Sequence, residues 1–547
     1  MPKRRADNRP AAREVRQRRF GEVDLLAIVA ALLCVALAYM SRLALNPDGV
    51  SYLDLAAAVQ RGDWQHFVQG YWSPLLPFLT GVISLATGLA GSALVPVTHA
   101  INAVAAVAAV GILWWWGRTA AGSRPLFGRL AIAAFLLCSF WLPKVELVTP
   151  DVIALVVAVW LSAELLQRGD RRWLLLGVLF GVSFLAKTSA WPWLVVAVAL
   201  RLWAAPDAST RRRVWWSAAV CALLMLAWVI PMSVRAGHPT LGSSGRLNYS
   251  WYINAARNSQ SPDADRGTHA AYREVPLDDG RQITVATFDN PEHWTYQPWG
   301  DPTAWAEGIT SRVQSTPTVG ELAGYWLRML MYVVVPWLGL MILTTIVPAF
   351  LLYRRPGIWR ELVTTQHDAL VVGALGVVGL FQFIAIHVEP RLIAPYAIML
   401  ALSAIWLATG VPPARVLRPI WRNIVAWIGT VTALGLAVYT LVAGASSTAR
   451  LIETTDRLDD LRRRLGTVMT GSAPIAIVGP AMPVLSAAYW SGVHITMQIP
   501  PRSADLLATL PADQQAALLK SVFRGQVPLI WKTTADGGME MLIVPNP

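Results

Sequence analysis

Residues 74–90, with the sequence PLLPFLTGVISLATGLA, decide the arrangement of this chain. The stretch is apolar enough to count as a membrane span, but Pro74 and Pro77 interrupt its first turns. If it crosses, the basic loops that follow it face outward; if it lies along the outer leaflet, they face the cytoplasm. Because cytoplasmic loops carry an excess of Lys and Arg, we interpret 74–90 as a re-entrant or interfacial helix.

The basic residues that support this interpretation lie in short clusters between apolar runs. Five loops agree, with clusters at Arg118/Arg124/Arg129, Arg168/Arg171/Arg172, Arg211/Arg212/Arg213, Arg354/Arg355/Arg360 and Arg415/Arg418/Arg422. We therefore attribute the formal net charge of +13 to orientation in a bilayer. A nucleic-acid partner is not expected, because its binding surface would gather the charge on one soluble face.

The composition excludes several classes of protein. Of the 547 residues, 55% are hydrophobic and 14% are charged, and the mean hydropathy is +0.46. A soluble globular chain carries about a quarter charged residues, so a soluble cytoplasmic enzyme and a disordered chain are excluded. Cys34, Cys138 and Cys221 all lie in apolar runs, where they indicate neither a metal site nor a disulfide.

The apolar runs predict a mainly α, polytopic membrane protein. A transmembrane helix needs about 20 apolar residues. About eleven runs qualify, and they are 24–45, 95–117, 129–143, 150–167, 173–187, 189–204, 214–234, 323–353, 367–386, 391–410 and 422–444. Residues 1–23 form a basic tail that should stay in the cytoplasm, and residues 24–445 form the transmembrane domain.

Three long segments face outside on this topology. They are the first outer loop 46–94 with its interfacial helices, the large outer loop 235–322, and the segment 446–547. In the last segment predicted strands alternate with helices, which indicates a small α/β domain on the periplasmic or extracellular side. The large outer loop places aromatic residues beside amides and acids, which suits sugar stacking and equally suits a loop packed on the membrane surface.

Two acids are candidates for chemistry. Asp48 follows the first span, and a short helix expected just after it places Tyr52 nearby. A carboxylate at a membrane boundary suits a general base, and an Asp that simply caps the helix is the alternative. Asp151 begins a later span on the same outer side, with Lys144 shortly before it, and it could likewise be a cap.

A third cluster lies in the tight outer loop between two later spans. The loop reads His387-Val388-Glu389-Pro390-Arg391. Arg391 could bind a phosphate through two parallel hydrogen bonds, or it could extend from the end of its span to the interface. Lys187, at the outer end of another span, offers the same two alternatives.

Taken in order, these motifs resemble the GT-C superfamily of membrane glycosyltransferases. The order is the acid after the first span, the stretch Tyr71–Pro77, Pro150-Asp151, Gly177 to Lys187-Thr188, and the His/Glu/Arg loop. The similarity is greatest to the branch that contains lipid A aminoarabinose transferase and protein O-mannosyltransferases. It covers roughly residues 20–410.

The resemblance implies roles for the candidate residues. Asp48 matches the general base and Asp151 the acid that positions the reacting groups. The substrate and lipid-phosphate site is expected to contain Tyr52, Lys144, Lys187, His387, Glu389 and Arg391. Many members have a second acid after the first, where this chain has Gly49, so no cofactor is firmly expected and a divalent metal is only weakly supported. Asp54 and Asp63 are expected on helix and loop surfaces.

The resulting hypothesis is an inverting transfer of a sugar from a polyprenyl-phosphate carrier to an outer-facing lipid, glycan or protein acceptor. We expect a multi-pass protein of the bacterial inner membrane with a cytoplasmic N-terminus. A transporter or flippase of lipid-linked sugars is the main alternative, and it would place ionisable residues near the bilayer midplane. A non-catalytic assembly or receptor protein would leave Asp48 and Asp151 without a shared cavity.

Overall fold

A computed structural model of the protein describes twelve continuous stretches and a few single positions. The stretches are 21–120, 125–141, 146–166, 172–203, 207–252, 270–288, 294–305, 366–383, 388–410, 474–524, 529–533 and 539–543. The predicted span 422–444, nearly all of the predicted span 323–353, and the segment 446–473 lie outside the described residues.

The described part of the chain is mainly helical. Its helices up to residue 252 are α1 (Glu22–Met40), α2 (Pro47–Arg61), α3 (Leu75–Thr87), α4 (Leu94–Ala120), α5 (Pro125–Trp141), α6 (Asp151–Leu166), α7 (Trp173–Ala186), α8 (Trp191–Trp203), α9 (Ala208–Ala236) and α10 (Ser244–Tyr252). The later ones are α11 (His367–Phe381), α12 (Pro390–Gly410), α13 (Leu485–Ser491), α14 (Pro501–Leu507) and α15 (Ala512–Phe523). Single helical turns lie at Trp64–Phe67, Gln297–Gly300 and Pro302–Trp305.

Four helices in the described part are long and apolar enough to cross a membrane. They are Glu22–Met40, Gly91–Thr119, Ala208–Ala236 and Pro390–Leu407. Leu32 on α1 and Leu223 on α9 are exposed on the outside of the bundle, as expected for side chains that face lipid. The other predicted spans within the described residues are also helices, but they are shorter.

Helix α3 is the element on which the topology depends. At 1.5 Å per residue its 13 residues are about 20 Å long, which is less than the roughly 30 Å of a bilayer core. The helix lies directly against α2 because Gly81 has no side chain. A Cβ at that position would come within 2.6 Å of the Cβ of Val59. The interfacial placement of α3 stays a prediction, since α8, which is predicted as a span, also has 13 residues.

Helix α2 begins earlier than the sequence suggested. We expected a helix from Val50, with Asp48 in the preceding loop, but the helix starts at Pro47. Proline suits the first helical position, because the backbone N–H that it lacks would have no partner there. Asp48 therefore lies in the first turn, where the exposed N–H groups and the helix dipole favour a carboxylate.

The described part of the chain also contains a six-stranded mixed sheet. Its order is β1-β2-β4-β3-β5-β6. The strands are β1 (Ala270–Pro276), β2 (Gln282–Phe288), β3 (Pro474–Val478), β4 (His494–Ile499), β5 (Leu529–Thr533) and β6 (Met539–Ile543). Strands β3 to β6 and their helices come from the C-terminal segment and follow the predicted alternation. The hairpin β1–β2 comes from the large outer loop, so the sheet is built from two segments far apart in the chain.

The six-stranded sheet and the helices α13 to α15 form an α/β unit. This α/β unit packs on helix α2. The Ser486 hydroxyl donates to the carbonyl of Leu45 at 2.7 Å, just before α2 begins. The Tyr489 hydroxyl donates to the carbonyl of Gly91 at 2.9 Å, and its ring packs with Leu53 of α2 and its neighbours. These contacts fix the position of the helix that carries Asp48 and Tyr52.

Candidate active site

The predicted residues meet in one cavity at the ends of several helices. The cavity has a volume of about 280 Å³. Six of the eight predicted site residues lie in the described part of the chain, and all six line the cavity: Asp48, Tyr52, Asp151, Lys187, Glu389 and Arg391. Lys144 and His387 lie outside the described residues.

Arg391 bridges two carboxylates in this cavity. Its Nη1 donates to Oδ2 of Asp48 at 2.6 Å, and its Nε donates to Oε2 of Glu389 at 2.6 Å. The side chains of Arg391 and Asp48 keep 24% and 17% of their surface exposed, so the pair is within reach of a ligand. The guanidinium has five N–H donors, and these two bonds leave further donors for an anion.

Lys187 and Asp151 form the second ion pair of the cavity. Lys187 follows the end of α7, and its Nζ donates to Oδ1 of Asp151, the first residue of α6. The Asp151 side chain is only 1% exposed. Its second oxygen, Oδ2, is buried and has no hydrogen-bond partner among the described residues.

A close backbone approach brings the two aspartates into the same cavity. A Cβ at Gly49 would lie 2.7 Å from the Cβ of Val148, so only glycine lets the start of α2 lie against the segment before Asp151. Asn46 fixes this contact, because its Oδ1 accepts the backbone N–H of Val148 at 3.0 Å. Many GT-C proteins have a second acid at the position of Gly49. An acidic side chain does not fit at residue 49 in this chain for steric reasons.

Tyr52 lies one helical turn after Asp48 and lines the same cavity. Its ring packs edge-on against Trp72, with the ring centroids 5.1 Å apart. Burial raises the pKa of the Tyr52 phenol well above its usual range, and the negative charges of Asp151 and Asp48 add to the shift. The phenol therefore stays protonated and can donate a hydrogen bond.

The large outer loop supplies an aromatic wall that the sequence did not assign to the site. Tyr252 and Trp299 line the cavity together with Tyr71 and Trp72. Trp72 Nε1 and the Ser51 hydroxyl both donate to the carbonyl of Trp299, at 3.0 and 2.9 Å. The signal in the sequence was the aromatic and amide composition of this loop, which left sugar binding and simple packing as alternatives.

A group of hydroxyls forms another side of the cavity, and none of them was assigned to the site from the sequence. The lining includes Ser73, Thr149, Thr188 and Ser189. Ser73 accepts the backbone N–H of Thr188 at 3.1 Å, which joins the start of α3 to the end of α7. These hydroxyls come from three separate segments, so only the folded chain brings them together.

The described ionisable groups of the cavity include one more acid than base. Among the described lining residues, the three carboxylates of Asp48, Asp151 and Glu389 face the two cations of Arg391 and Lys187. No group of three or more His, Cys, Asp or Glu side chains that could hold a metal ion occurs within the described part.

The surface position predicted for Asp54 is wrong. We expected it on the helix surface, but it is 2% exposed and faces the large outer loop. It accepts the backbone N–H and the hydroxyl of Thr295 at 2.9 and 3.0 Å. Burial raises the pKa of Asp54 to about 8, although the two hydrogen bonds oppose the shift.

Comparisons with known proteins identify the fold. No protein-family model and no curated protein matches the sequence. The solved structure of ArnT from Cupriavidus metallidurans bound to undecaprenyl phosphate matches with a TM-score of 0.52 at 15% identity. The match covers 94% of this chain and 93% of that chain. The chain has the fold of ArnT.

A second structure supports the same conclusion. ArnT from the same organism in the apo state matches with a TM-score of 0.50 at 14% identity, covering 92% of this chain and 93% of that chain. Both matches thus extend over more than nine-tenths of this chain. The resemblance to GT-C proteins read from the sequence is confirmed for the fold.

Proposed function

We propose that this protein is a membrane glycosyltransferase that moves a sugar from a polyprenyl-phosphate donor to an acceptor on the outer face of the bacterial inner membrane. The acceptor is a lipid, glycan or protein hydroxyl, and the anomeric configuration inverts. The observation that carries the proposal is the meeting of Asp48, Asp151, Lys187 and Arg391 in one cavity. The ArnT structure, which has the same fold, is bound to undecaprenyl phosphate.

The position of the charges favours surface chemistry over transport. Asp48 and Asp151 begin helices, Arg391 lies in the first turn of α12, and Lys187 follows the last residue of α7. A transporter usually places its ionisable groups near the middle of discontinuous spans. Because the two aspartates share a cavity, a protein that only assembles or docks others is also disfavoured.

In the proposed reaction, the acceptor hydroxyl attacks the anomeric carbon as its proton passes to a carboxylate oxygen of Asp48. The bond between the anomeric carbon and the phosphate oxygen breaks, and polyprenyl phosphate leaves with the electron pair. One attack from the face opposite the leaving group inverts the configuration. Asp151 and Tyr52 hold the reacting groups in place.

Arg391 has two tasks in this scheme. It binds the donor phosphate and stabilises the negative charge that develops as the phosphate leaves, with Lys187 as the second cation. Arg391 forms an ion pair with Asp48, in which the carboxylate accepts a hydrogen bond from the guanidinium. A phosphate that draws Arg391 toward itself weakens the hold on Asp48 and makes that carboxylate a better base.

The hydrocarbon tail of the donor needs an apolar route to the cavity. Phe383 and Leu392 line the cavity next to Arg391, and α3 lies against α2 with several of its large apolar side chains exposed, among them Phe78 and Leu85. We assign the carrier chain to this side, so that its phosphate meets the cations while its tail remains in lipid.

The test is transfer by the full-length protein in membranes that are given a labelled polyprenyl-phosphate sugar and an extract of envelope acceptors. The wild type should form labelled product, and Asp48→Asn should lower turnover at least about 100-fold. Asp505→Asn, the same substitution at an exposed site on α14, is the matched control and should keep full turnover.

Two results would contradict the proposal. Equal turnover by the wild type and Asp48→Asn would show that Asp48 is not the general base. Movement of the labelled lipid across a liposome bilayer without any new glycosidic bond would favour the transporter instead.

A further inference from the structure

Helices α7 and α9 pack side by side and run in the same direction. A Cβ at Gly177 would lie 2.8 Å from the Cβ of Val220, and one at Gly181 would lie 2.7 Å from the Cβ of Leu224. These contacts advance along both helices together, so α7 and α9 begin at the same end of the pair. The cavity lies at the other end of α7, because Lys187 follows its last residue.

Four arginines gather at this starting end. Arg172 directly precedes α7, and Arg211, Arg212 and Arg213 lie in the first two turns of α9. All four residues are exposed. None of their side chains has an ion pair or a hydrogen bond with another residue in the part of the chain that the structure describes. The cluster therefore presents its positive charge to the surroundings.

Other arginines at helix ends away from the cavity have acidic partners. Arg118, near the end of α4, pairs with Asp24 at 2.8 Å, and Arg201, near the end of α8, pairs with Asp368 at 2.6 Å. Orientation in a bilayer requires positive charge but does not require that the charge stay unpaired. The four arginines at the start of α7 and α9 therefore need a further explanation.

The arginines of α9 lie where a helix disfavours cations. The start of a helix is the positive end of its dipole. Asp207, the nearest acid along the sequence, is engaged in capping α9, since its two carboxylate oxygens accept the backbone N–H and the hydroxyl of Thr210 at 2.7 and 3.0 Å. Four cations and this one acid leave three positive charges among these described residues. An anion with more than one negative charge would relieve this arrangement.

Tryptophans and apolar side chains continue from the arginines along the outside of α9. Trp216 lies one turn after Arg212 and is 61% exposed, and the neighbouring Trp215 is 59% exposed. Leu223 and Leu226 follow on the face of Trp216 and are 70% and 46% exposed. Tryptophan is enriched at the depth of lipid headgroups. The rise from Trp216 to Leu226 is about 15 Å, which is half of the roughly 30 Å bilayer core.

We propose that the four arginines bind the headgroup of an anionic phospholipid with two phosphates, that is, a lipid of the cardiolipin class. Its acyl chains lie along the apolar face of α9 within one leaflet. A guanidinium can bond two phosphate oxygens at once, and basic sites between membrane helices suit such headgroups. Two phosphates suit a cluster on two helices, because Arg172 binds one while the arginines of α9 bind the other.

This lipid is not the donor proposed for the cavity. The arginine cluster and the cavity lie at opposite ends of α7, whose 14 residues are about 21 Å long. The inference therefore goes beyond the proposed function and does not depend on it.

The experiment is native mass spectrometry of the purified full-length protein in detergent, titrated with cardiolipin, phosphatidylglycerol or phosphatidylcholine. We expect saturable binding of cardiolipin with a dissociation constant at least about tenfold below that of phosphatidylglycerol, and no saturable binding of phosphatidylcholine. The triple variant Arg211→Gln/Arg212→Gln/Arg213→Gln should bind cardiolipin about 30- to 100-fold more weakly. Arg172→Gln alone should weaken it about three- to tenfold, because this residue belongs to the other helix.

A matched control removes the same charge elsewhere. The triple variant Arg61→Gln/Lys520→Gln/Arg524→Gln changes three exposed cations outside α7 and α9 and should bind cardiolipin as the wild type does. Thermal unfolding without added lipid shows whether each variant is folded. If the glutamine variant of α9 does not fold, Arg172→Gln decides the test by itself.

Four results would overturn the inference. The first is cardiolipin binding by folded α9 or Arg172 variants that equals that of the wild type. The second is equal binding of all three lipids, which would indicate contact with acyl chains alone. The third is an equal loss in the control variant, which would indicate attraction by net charge. The fourth is displacement of cardiolipin by an equal concentration of inorganic pyrophosphate, which would indicate a site for soluble anions. None of them bears on sugar transfer, since the titrations contain no donor.

Discussion

Thr295 donates two hydrogen bonds to the buried carboxylate of Asp54, one from its backbone N–H at 2.9 Å and one from its hydroxyl at 3.0 Å. Asp54 belongs to the same helix as Asp48, and the carbonyl of Thr295 accepts the backbone N–H of Ile495 at 2.8 Å. A continuous chain of hydrogen bonds therefore joins strand β4 to the helix that carries the proposed base.

Replacing Asp54 by Leu should destabilise the protein by about 1–3 kcal/mol, because it leaves the donors of Thr295 buried without acceptors. Asp54→Asn keeps an amide oxygen for the Thr295 N–H and should cost much less. Thermal unfolding of the full-length protein in detergent measures the difference. Equal loss in both variants would show that side-chain shape, rather than the hydrogen bonds, matters at this position.

The pH dependence of stability should also report on Asp54. Its pKa is raised to about 8 in the folded protein from 3.8, so between about pH 4 and 8 the unfolded chain has lost a proton that the folded protein keeps. This group's contribution to the free energy of unfolding therefore falls as pH rises through that window and levels off above it. The stability difference between the wild type and Asp54→Asn should shift accordingly in unfolding scans at about pH 5 to 8.

Gly49→Ala should separate Asp48 from Asp151. Its Cβ would lie 2.7 Å from the Cβ of Val148 and 2.9 Å from Cδ1 of Leu45, so the start of α2 must move. We expect a loss of about 1–3 kcal/mol in stability, as for other overpacked sites, and a fall in turnover of about tenfold or more. Gly111→Ala in α4, where a Cβ meets nothing within 4 Å, is the control and should retain turnover.

Arg391→Lys should lower the catalytic efficiency by about 10- to 100-fold, although the charge is conserved. A single ammonium cannot hold Asp48 and Glu389 in the planar geometry of the guanidinium and bind a phosphate as well. Glu389→Gln keeps an acceptor for Nε and should have a smaller effect. Steady-state kinetics with varied donor concentration checks both, and indistinguishable kinetics for wild type and Arg391→Lys would rule out bidentate binding.

The helices of the apolar runs that the structure describes could be predicted from the sequence because their signal is local. A run of apolar residues must form a helix in lipid, and the basic clusters at Arg118 and Arg211 set the expected orientation. The ends were less accurate. Helix α1 stops at Met40 rather than continuing to residue 45, and the next helix starts at Pro47.

The contacts between distant segments could not be predicted. The hairpin β1–β2 had a local signal in Asp279-Gly280, a common turn pair, and Gly280 does adopt a positive φ of 82°. Its pairing with β4 through Ala286 and Gln498 depends on the whole fold. Asp54 was assigned to the surface for the same reason, since its partner Thr295 is far away in the sequence.

The candidate site was partly visible because charged residues are rare in apolar runs. Asp48, Asp151 and Arg391 stood out against their surroundings, whereas Thr149 and Ser189 did not. A hydroxyl residue at the end of a membrane helix is common and has no distinctive spacing. Only the folded chain shows that these hydroxyls lie on the same cavity as the ion pairs.

The divided origin of the sheet has a consequence for biosynthesis. The ribosome completes the β1–β2 hairpin long before it makes β4. Until β4 is made, the edge of β2 is unpaired and can drive aggregation. A nascent chain halted before residue 474 would lack the strand that anchors Thr295 and the helix that rests on Leu45. Truncated products should therefore lack activity and tend to aggregate. Their unpaired strand edge would allow cellular quality control to recognise and remove them.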